Sequence, residues 1–207
     1  MYSFMGGGLF CAGVGTLLLV VATATDHWMQ YRLSGAFAHQ GLWRYCVGHK
    51  CYLQTESMGE LGGAWGSQPK DPGPRVFQDR PREGGGTSRL SSASWNATRA
   101  LMILSALCAA SGIALGILAF TQQPAFARLS RPFSASSMFF AATLFLLLAL
   151  AIYTGVAVSF LGRRFRDWRF SWSYILGWVA LLMTFFSGIF YMCAYRMHEC
   201  QRLSTPR

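Results

Sequence analysis

The stretch GLWRYCVGHKCYL, Gly41 to Leu53, places two cysteines, a tryptophan and two tyrosines in thirteen positions. Cys46 and Cys51 flank VGHK, whose Gly48 allows a tight turn, and the residues on either side are rich in Tyr, Trp and Leu, the composition of short strands. A hairpin here brings the two sulfurs opposite each other within disulfide reach, and such a bond persists only in an oxidising compartment. The stretch therefore predicts a small stapled sheet on the outer side of a membrane, provided that its surroundings are membrane spans.

The surroundings fit that requirement. The chain has 207 residues, of which 53% are hydrophobic and only 13% charged, too apolar for an ordinary soluble domain. Four runs lack Asp, Glu, Lys and Arg: Tyr2 to Thr25, Leu101 to Thr121, Phe133 to Leu161 and Trp172 to Tyr195. Each reaches the roughly 20 residues needed to cross hydrocarbon, and lipid offers backbone groups no partner, so each must be helical. The expected fold class is an all-α transmembrane four-helix bundle with a small extracellular antiparallel β-sheet, in one domain over residues 1–207. Residues 26–100 form its first outer loop and 162–171 its second. The first run ends in an Ala22-x-Ala24 pattern of the kind signal peptidase cuts. It has no preceding Lys or Arg and exceeds the length of a signal h-region, so it is expected to be retained.

Charge counting argues for the opposite orientation. The first loop with its flanks holds nine basic residues (Arg32, Arg44, Lys50, Lys70, Arg75, Arg80, Arg82, Arg89 and Arg99) and the third holds four (Arg163, Arg164, Arg166 and Arg169). The other side has five: Arg128, Arg131, Arg196, Arg202 and Arg207. Taken alone, that bias would put the large loop in the cytosol. The cysteine pair and the acceptor pattern NAT at Asn96 to Thr98 put it outside.

Other readings of these residues are weaker. Cys46, His49 and Cys51 supply three metal ligands where structural zinc takes four, so no metal is expected. Asn96 lies five residues before the second run, close to the membrane for glycosylation. Cys11, Cys108 and Cys193 fall within spans as packing residues, and Cys200, just past the last span, is a palmitoylation candidate.

Trp28, Gly41-Leu42-Trp43, Cys46, Cys51 and then Arg99 at the mouth of the second span, in a tetraspan chain, resemble the W...GLW...C...C...R pattern of the claudin and peripheral myelin protein superfamily. The resemblance implies a left-handed bundle in the plasma membrane with both termini cytoplasmic. It also implies an extracellular sheet built mostly from the first loop, with one strand from the second. In that fold the disulfide joins neighbouring strands and the tryptophans anchor the sheet near the membrane surface, so the cysteines staple a sheet with little core of its own. Asn96 and Trp43 are the glycosylation candidates.

Three departures limit the likeness. The four residues between the cysteines are fewer than in typical claudins, and the end, LSTPR, lacks their hydrophobic terminus. Met58 to Ser94, with eight Gly and four Pro in 37 residues, has no hydrophobic period and no expected counterpart in the family, and it reads as a disordered insertion.

Within the spans, Gly112-x-x-x-Gly116 and Gly155-x-x-x-Ser159 allow close helix approach, within one bundle or between copies, so a homo-oligomer is open. No span carries an ionisable residue other than Cys or Tyr, which argues against an ion pathway through one bundle. Asp26-His27 is an adjacent pair without a nucleophile motif, so neither an enzyme nor a cofactor is expected. The outer loops are each net +3, nine basic against six acidic residues and four against one. Aromatic side chains stand among the charges: Trp28, Tyr31, Phe37, Trp43 and Tyr45 in the first loop, Phe165, Trp168 and Phe170 in the second. Arg163, Arg164, Arg166, Trp168 and Arg169 are thus the adhesive-surface candidates, facing an opposing cell membrane or its proteins and not a nucleic acid. The expected function is structural, in adhesion at cell–cell junctions; the alternative is an auxiliary subunit of another channel or receptor. In the cytosolic tail, Ser204 and Thr205 beside Arg202 are phosphorylation candidates.

Overall fold

The structure is a computed structural model that describes residues 2–33, 36–48, 50–53, 85–121, 131–161 and 167–204. Four helices run through Tyr2–Ala24 (α1), Gly85–Phe120 (α2), Arg131–Val156 (α3) and Trp172–Ser204 (α4). All four are long and apolar enough to cross a membrane, over Ser3–Ala24, Ala93–Ala119, Pro132–Ser159 and Trp172–Met197. Their ends do not coincide with the charge-free runs. A helix propagates one backbone hydrogen bond per residue whatever its side chains, so α2 passes through Arg99 and α4 through Arg196. The 36 residues of α2 extend about 54 Å, well beyond a hydrocarbon core of about 30 Å. Residues 85–94, expected to belong to a structureless insertion, are instead the first turns of α2; no proline lies between Pro81 and the span to stop the helix extending backward. The rest of the expected insertion, 58–84, lies outside the described residues. Pro132 sits in the first turn of α3, where its missing N–H matters least, and the far end of that helix loosens into a π-helical turn over Ala157–Leu161.

α1 packs on α4 and α2, and α3 on α2 and α4. Buried serines bridge three of these seams. Ser105 Oγ donates to the Ala142 carbonyl at 2.8 Å (α2 to α3), Ser136 Oγ to Gly188 at 2.9 Å (α3 to α4) and Ser187 Oγ to Gly8 at 2.9 Å (α4 to α1). Between lipid-embedded helices such bonds and close approach do the work that water-driven burial does elsewhere. Gly112 lies against the Phe139 ring and Gly116 against the Tyr191 hydroxyl, so that glycine pair serves the bundle's own packing. Gly155 is exposed with no neighbour within 4 Å of where a Cβ would be, and Ser159 is exposed too.

Between α1 and α2 the chain forms Met29–Leu33 (β1), Ala36–Gln40 (β2), Arg44–Val47 (β3) and Lys50–Leu53 (β4). Trp168–Phe170 (β5), from between α3 and α4, adds to the far side of β1, giving the antiparallel order β4-β3-β2-β1-β5. Period-2 alternation buries Met29 and Tyr31 of β1 and Ala38 and Gln40 of β2, and leaves Gln30, Arg32 and Phe37 exposed on the other face. The buried face joins Trp28, Trp95, Tyr153 and Tyr174 in one continuous core with the helices.

Candidate functional site

The sheet is fixed to the bundle by a clamp of tryptophans. The last carbonyls of a helix have no partner within it, and at the end of α1 side chains from the loop supply two. Trp28 Nε1 donates to the Ala22 carbonyl at 2.6 Å and Trp43 Nε1 to the Thr23 carbonyl at 3.0 Å. The Leu42 carbonyl, in the turn between β2 and β3, accepts from Trp95 Nε1 at 3.2 Å and from Arg99 Nε at 2.7 Å. Arg99 also lies over the Trp43 ring, 5.1 Å from its centroid, and reaches Asn96 Oδ1 at 3.5 Å. Trp28 is fully buried, edge-on to Tyr153 at 4.7 Å. At Gly41 an added Cβ would meet the Asp26 backbone and lie 2.9 Å from the Thr25 carbonyl, so the turn closes only around glycine. Ser171 N donates to the Trp28 carbonyl and Ser173 N to the His27 carbonyl, tying the start of α4 to the same point. Trp28, Gly41, Leu42, Trp43 and Arg99, far apart in sequence, thus form one joint.

Cys46 and Cys51 are a directly paired position of β3 and β4 and are disulfide-bonded, with Gly48 at φ +60° in the turn between them. His39, opposite Cys46 on β2, brings its ring within 4.8 Å of both sulfurs. His49, the third candidate ligand by sequence, lies outside the described residues. Bonded to each other, the sulfurs offer no thiolate, and the group is not a metal site as it stands. Closing a short loop constrains the unfolded chain modestly, so Cys46→Ser or Cys51→Ser is expected to destabilise the sheet by about 2 kcal/mol, read as a lower melting temperature of purified protein. Unchanged melting for both variants would contradict this.

His39 also stacks on His27, ring centroids 4.4 Å apart and 13° from parallel, and His27 in turn lies 5.7 Å from Trp172. Burial, and then the neighbouring His27, hold the His39 pKa below its ordinary 6.5, against a pull from Asp26 in the other direction. The unfolded chain therefore takes up this proton first. The contribution is fully present above about pH 6.5 and lost as pH falls through the lower folded value. The melting temperature is expected to drop on acidification from pH 7 to pH 5, with a smaller drop in His39→Gln; equal drops would exclude His39 as the source.

The adhesive candidates divide. Arg169 is exposed on the outward face, but Trp168 is half-buried, edge-on to Phe170 at 5.1 Å and packed against the core, because alternation along β5 turns it toward the helices. Arg163, Arg164, Arg166 and Phe165 lie outside the described residues. The first-loop aromatics are mostly committed inward as well, with Phe37 the exception at 68% exposed. Arg32 as the outward partner of Phe37, and Arg44 as that of Leu53, were not among the sequence candidates; strand alternation held the signal, but only the pairing register fixes which face is out. Asn96 and Ser204 are exposed, whereas Thr205 lies outside the described residues. Cys193 and Cys200 are exposed and Cys11 and Cys108 half-buried.

The model of the PMP-22/EMP/MP20/Claudin family matches residues 1–71 and 78–191. The chain belongs to that family. Lens fiber membrane intrinsic proteins are similar over all 207 residues and their own full length, at 72% identity for those of Bos taurus and Rattus norvegicus and 69% for that of Homo sapiens. These matches correct one expectation: Met58 to Ser94, thought to have no counterpart, falls within the family match except for residues 72–77 and is spanned by these relatives. Its low apolar content had been mistaken for foreignness. As a family member with four candidate spans, this is a multi-pass membrane protein with a structural role.

Proposed function

We propose that the protein is a structural component of cell–cell junctions, in lens fibre cells as the names of its relatives suggest. It sits in the plasma membrane with its sheet outside and both termini in the cytosol, and it acts in adhesion and tissue organisation through its outer loops rather than in catalysis. The observation that carries this reading is the clamp. Trp28, Trp43, Trp95 and Arg99 hold the five-stranded sheet rigidly on the helix ends, so that one face is presented away from the bundle. A rigid, pre-formed face binds without a large ordering cost.

Suspension cells expressing the protein are expected to aggregate, and Trp43→Ala, delivered to the surface, to abolish this. Dispersed cells despite surface expression would refute the adhesive reading. A second reading, an auxiliary subunit making lateral contacts, is favoured by one observation, the exposed Gly155 and Ser159 on the lipid-facing side of α3 and its π turn. It predicts that activity requires a second membrane protein.

A further inference from the structure

We propose that the outward face of the sheet docks on the anionic phospholipid headgroups of the opposing bilayer, an inference that rests on the adhesive reading and names its partner. Residues paired in register share a face. The pairs Arg32 with Phe37 near the tip of the sheet, Arg44 with Leu53 at its Gly41 end and Gln30 with Arg169 at its β5 edge spread three guanidinium groups and two large apolar side chains over one face. All five of those side chains are exposed, Phe37 at 68% and Leu53 at 63%. No Asp or Glu occurs in any of the five strands, and the one exposed carboxylate beside them is Asp167, just before β5, whose carbonyl accepts from Arg32 N at 3.4 Å. Among the described residues no carboxylate pairs with Arg32, Arg44 or Arg169. Arg32 instead lies over the Phe37 ring, 4.7 Å from its centroid, near the tip of the β1–β2 hairpin.

Three possible partners differ in what they would satisfy. A second copy facing the first would set three arginines against three of the same charge. A sulfated glycan would satisfy the arginines but leave Phe37 and Leu53 in water. An anionic bilayer satisfies both, because guanidinium forks bind phosphate oxygens while the aromatic and aliphatic side chains enter the headgroup boundary. The contact is short-ranged, since charge is screened beyond about 8 Å at physiological salt.

The test uses full-length protein reconstituted in neutral phosphatidylcholine vesicles, mixed with protein-free vesicles of phosphatidylcholine alone or with phosphatidylserine. Clustering is expected with the anionic partner only, and should disappear in about 1 M salt, where the screening length is about 3 Å. Each basic residue near an anionic surface contributes about a factor of five, so combining Arg32→Gln, Arg44→Gln and Arg169→Gln should weaken binding about 100-fold. Phe37→Ser should weaken it while preserving the salt dependence. Thermal melting at the wild-type temperature establishes that each variant is folded. Clustering only when both membranes carry the protein, indifferent to lipid charge, would overturn the lipid partner and leave adhesion standing. So would absence of vesicle clustering while expressing cells still aggregate in a manner blocked by a sulfated polysaccharide. Failure of vesicles and cells alike would overturn the adhesive reading itself.

Discussion

Trp28→Ala is expected to destabilise the protein by about 3 to 5 kcal/mol, enough to unfold a marginally stable domain and leave little of it at the cell surface. The side chain is fully buried at the centre of the shared core, edge-on to Tyr153 and Tyr174, and its indole N–H satisfies the Ala22 carbonyl at the end of α1. Alanine removes the ring, leaves a cavity between sheet and helices and leaves that carbonyl only the longer bond from Thr25 Oγ1 at 3.4 Å. Trp28→Phe separates the two effects, since it keeps much of the packing and loses only the hydrogen bond; it is expected to recover more than half of the loss. Thermal unfolding of purified protein in detergent measures both variants. Equal destabilisation by Phe and Ala would show that the hydrogen bond, not the packing, dominates.

Gly41→Ala is expected to damage the same joint from the backbone side. The added methyl would collide with the Asp26 backbone and the Thr25 carbonyl, and neither can move independently, because Thr25 Oγ1 is bonded to Ser173 Oγ at 2.8 Å and Gly41 N to the Arg44 carbonyl at 2.8 Å. Overpacking of this kind costs about 1 to 3 kcal/mol, more where backbone must shift. Gly48→Ala is the control: its positive φ is strained for alanine, but nothing lies within 4 Å of the site, so it should cost only about 1 kcal/mol. A Gly41→Ala protein that melts no lower than Gly48→Ala would show that the loop yields at Asp26.

What could be read directly from sequence follows from the solvent. Hydrocarbon requires every backbone group in a span to be paired internally, so the four charge-free runs dictate four helices from local composition alone. The hairpin was equally legible, because Gly48 and the spacing of Cys46 and Cys51 bring the cysteines together within a few residues. The helix ends were not, since absence of charge marks where lipid begins and helical hydrogen bonding continues past it through Arg99 and Arg196.

The sequence by itself determined four spans, a stapled sheet and a motif whose Trp28, Gly41, Leu42, Trp43 and Arg99 meet at one joint while its cysteines lie in the hairpin beyond it. Only the tertiary structure decided what that joint does and which way the sheet faces. Trp95 meets Leu42 across 53 positions and Thr25 meets Ser173 across 148, and β5 reaches β1 only because α3 and α4 return the chain to the same end of the bundle. No local pattern encodes such contacts. They also set the pairing register, and a shift of one residue would have exchanged Tyr31 for Arg32 and turned the cationic face into the core.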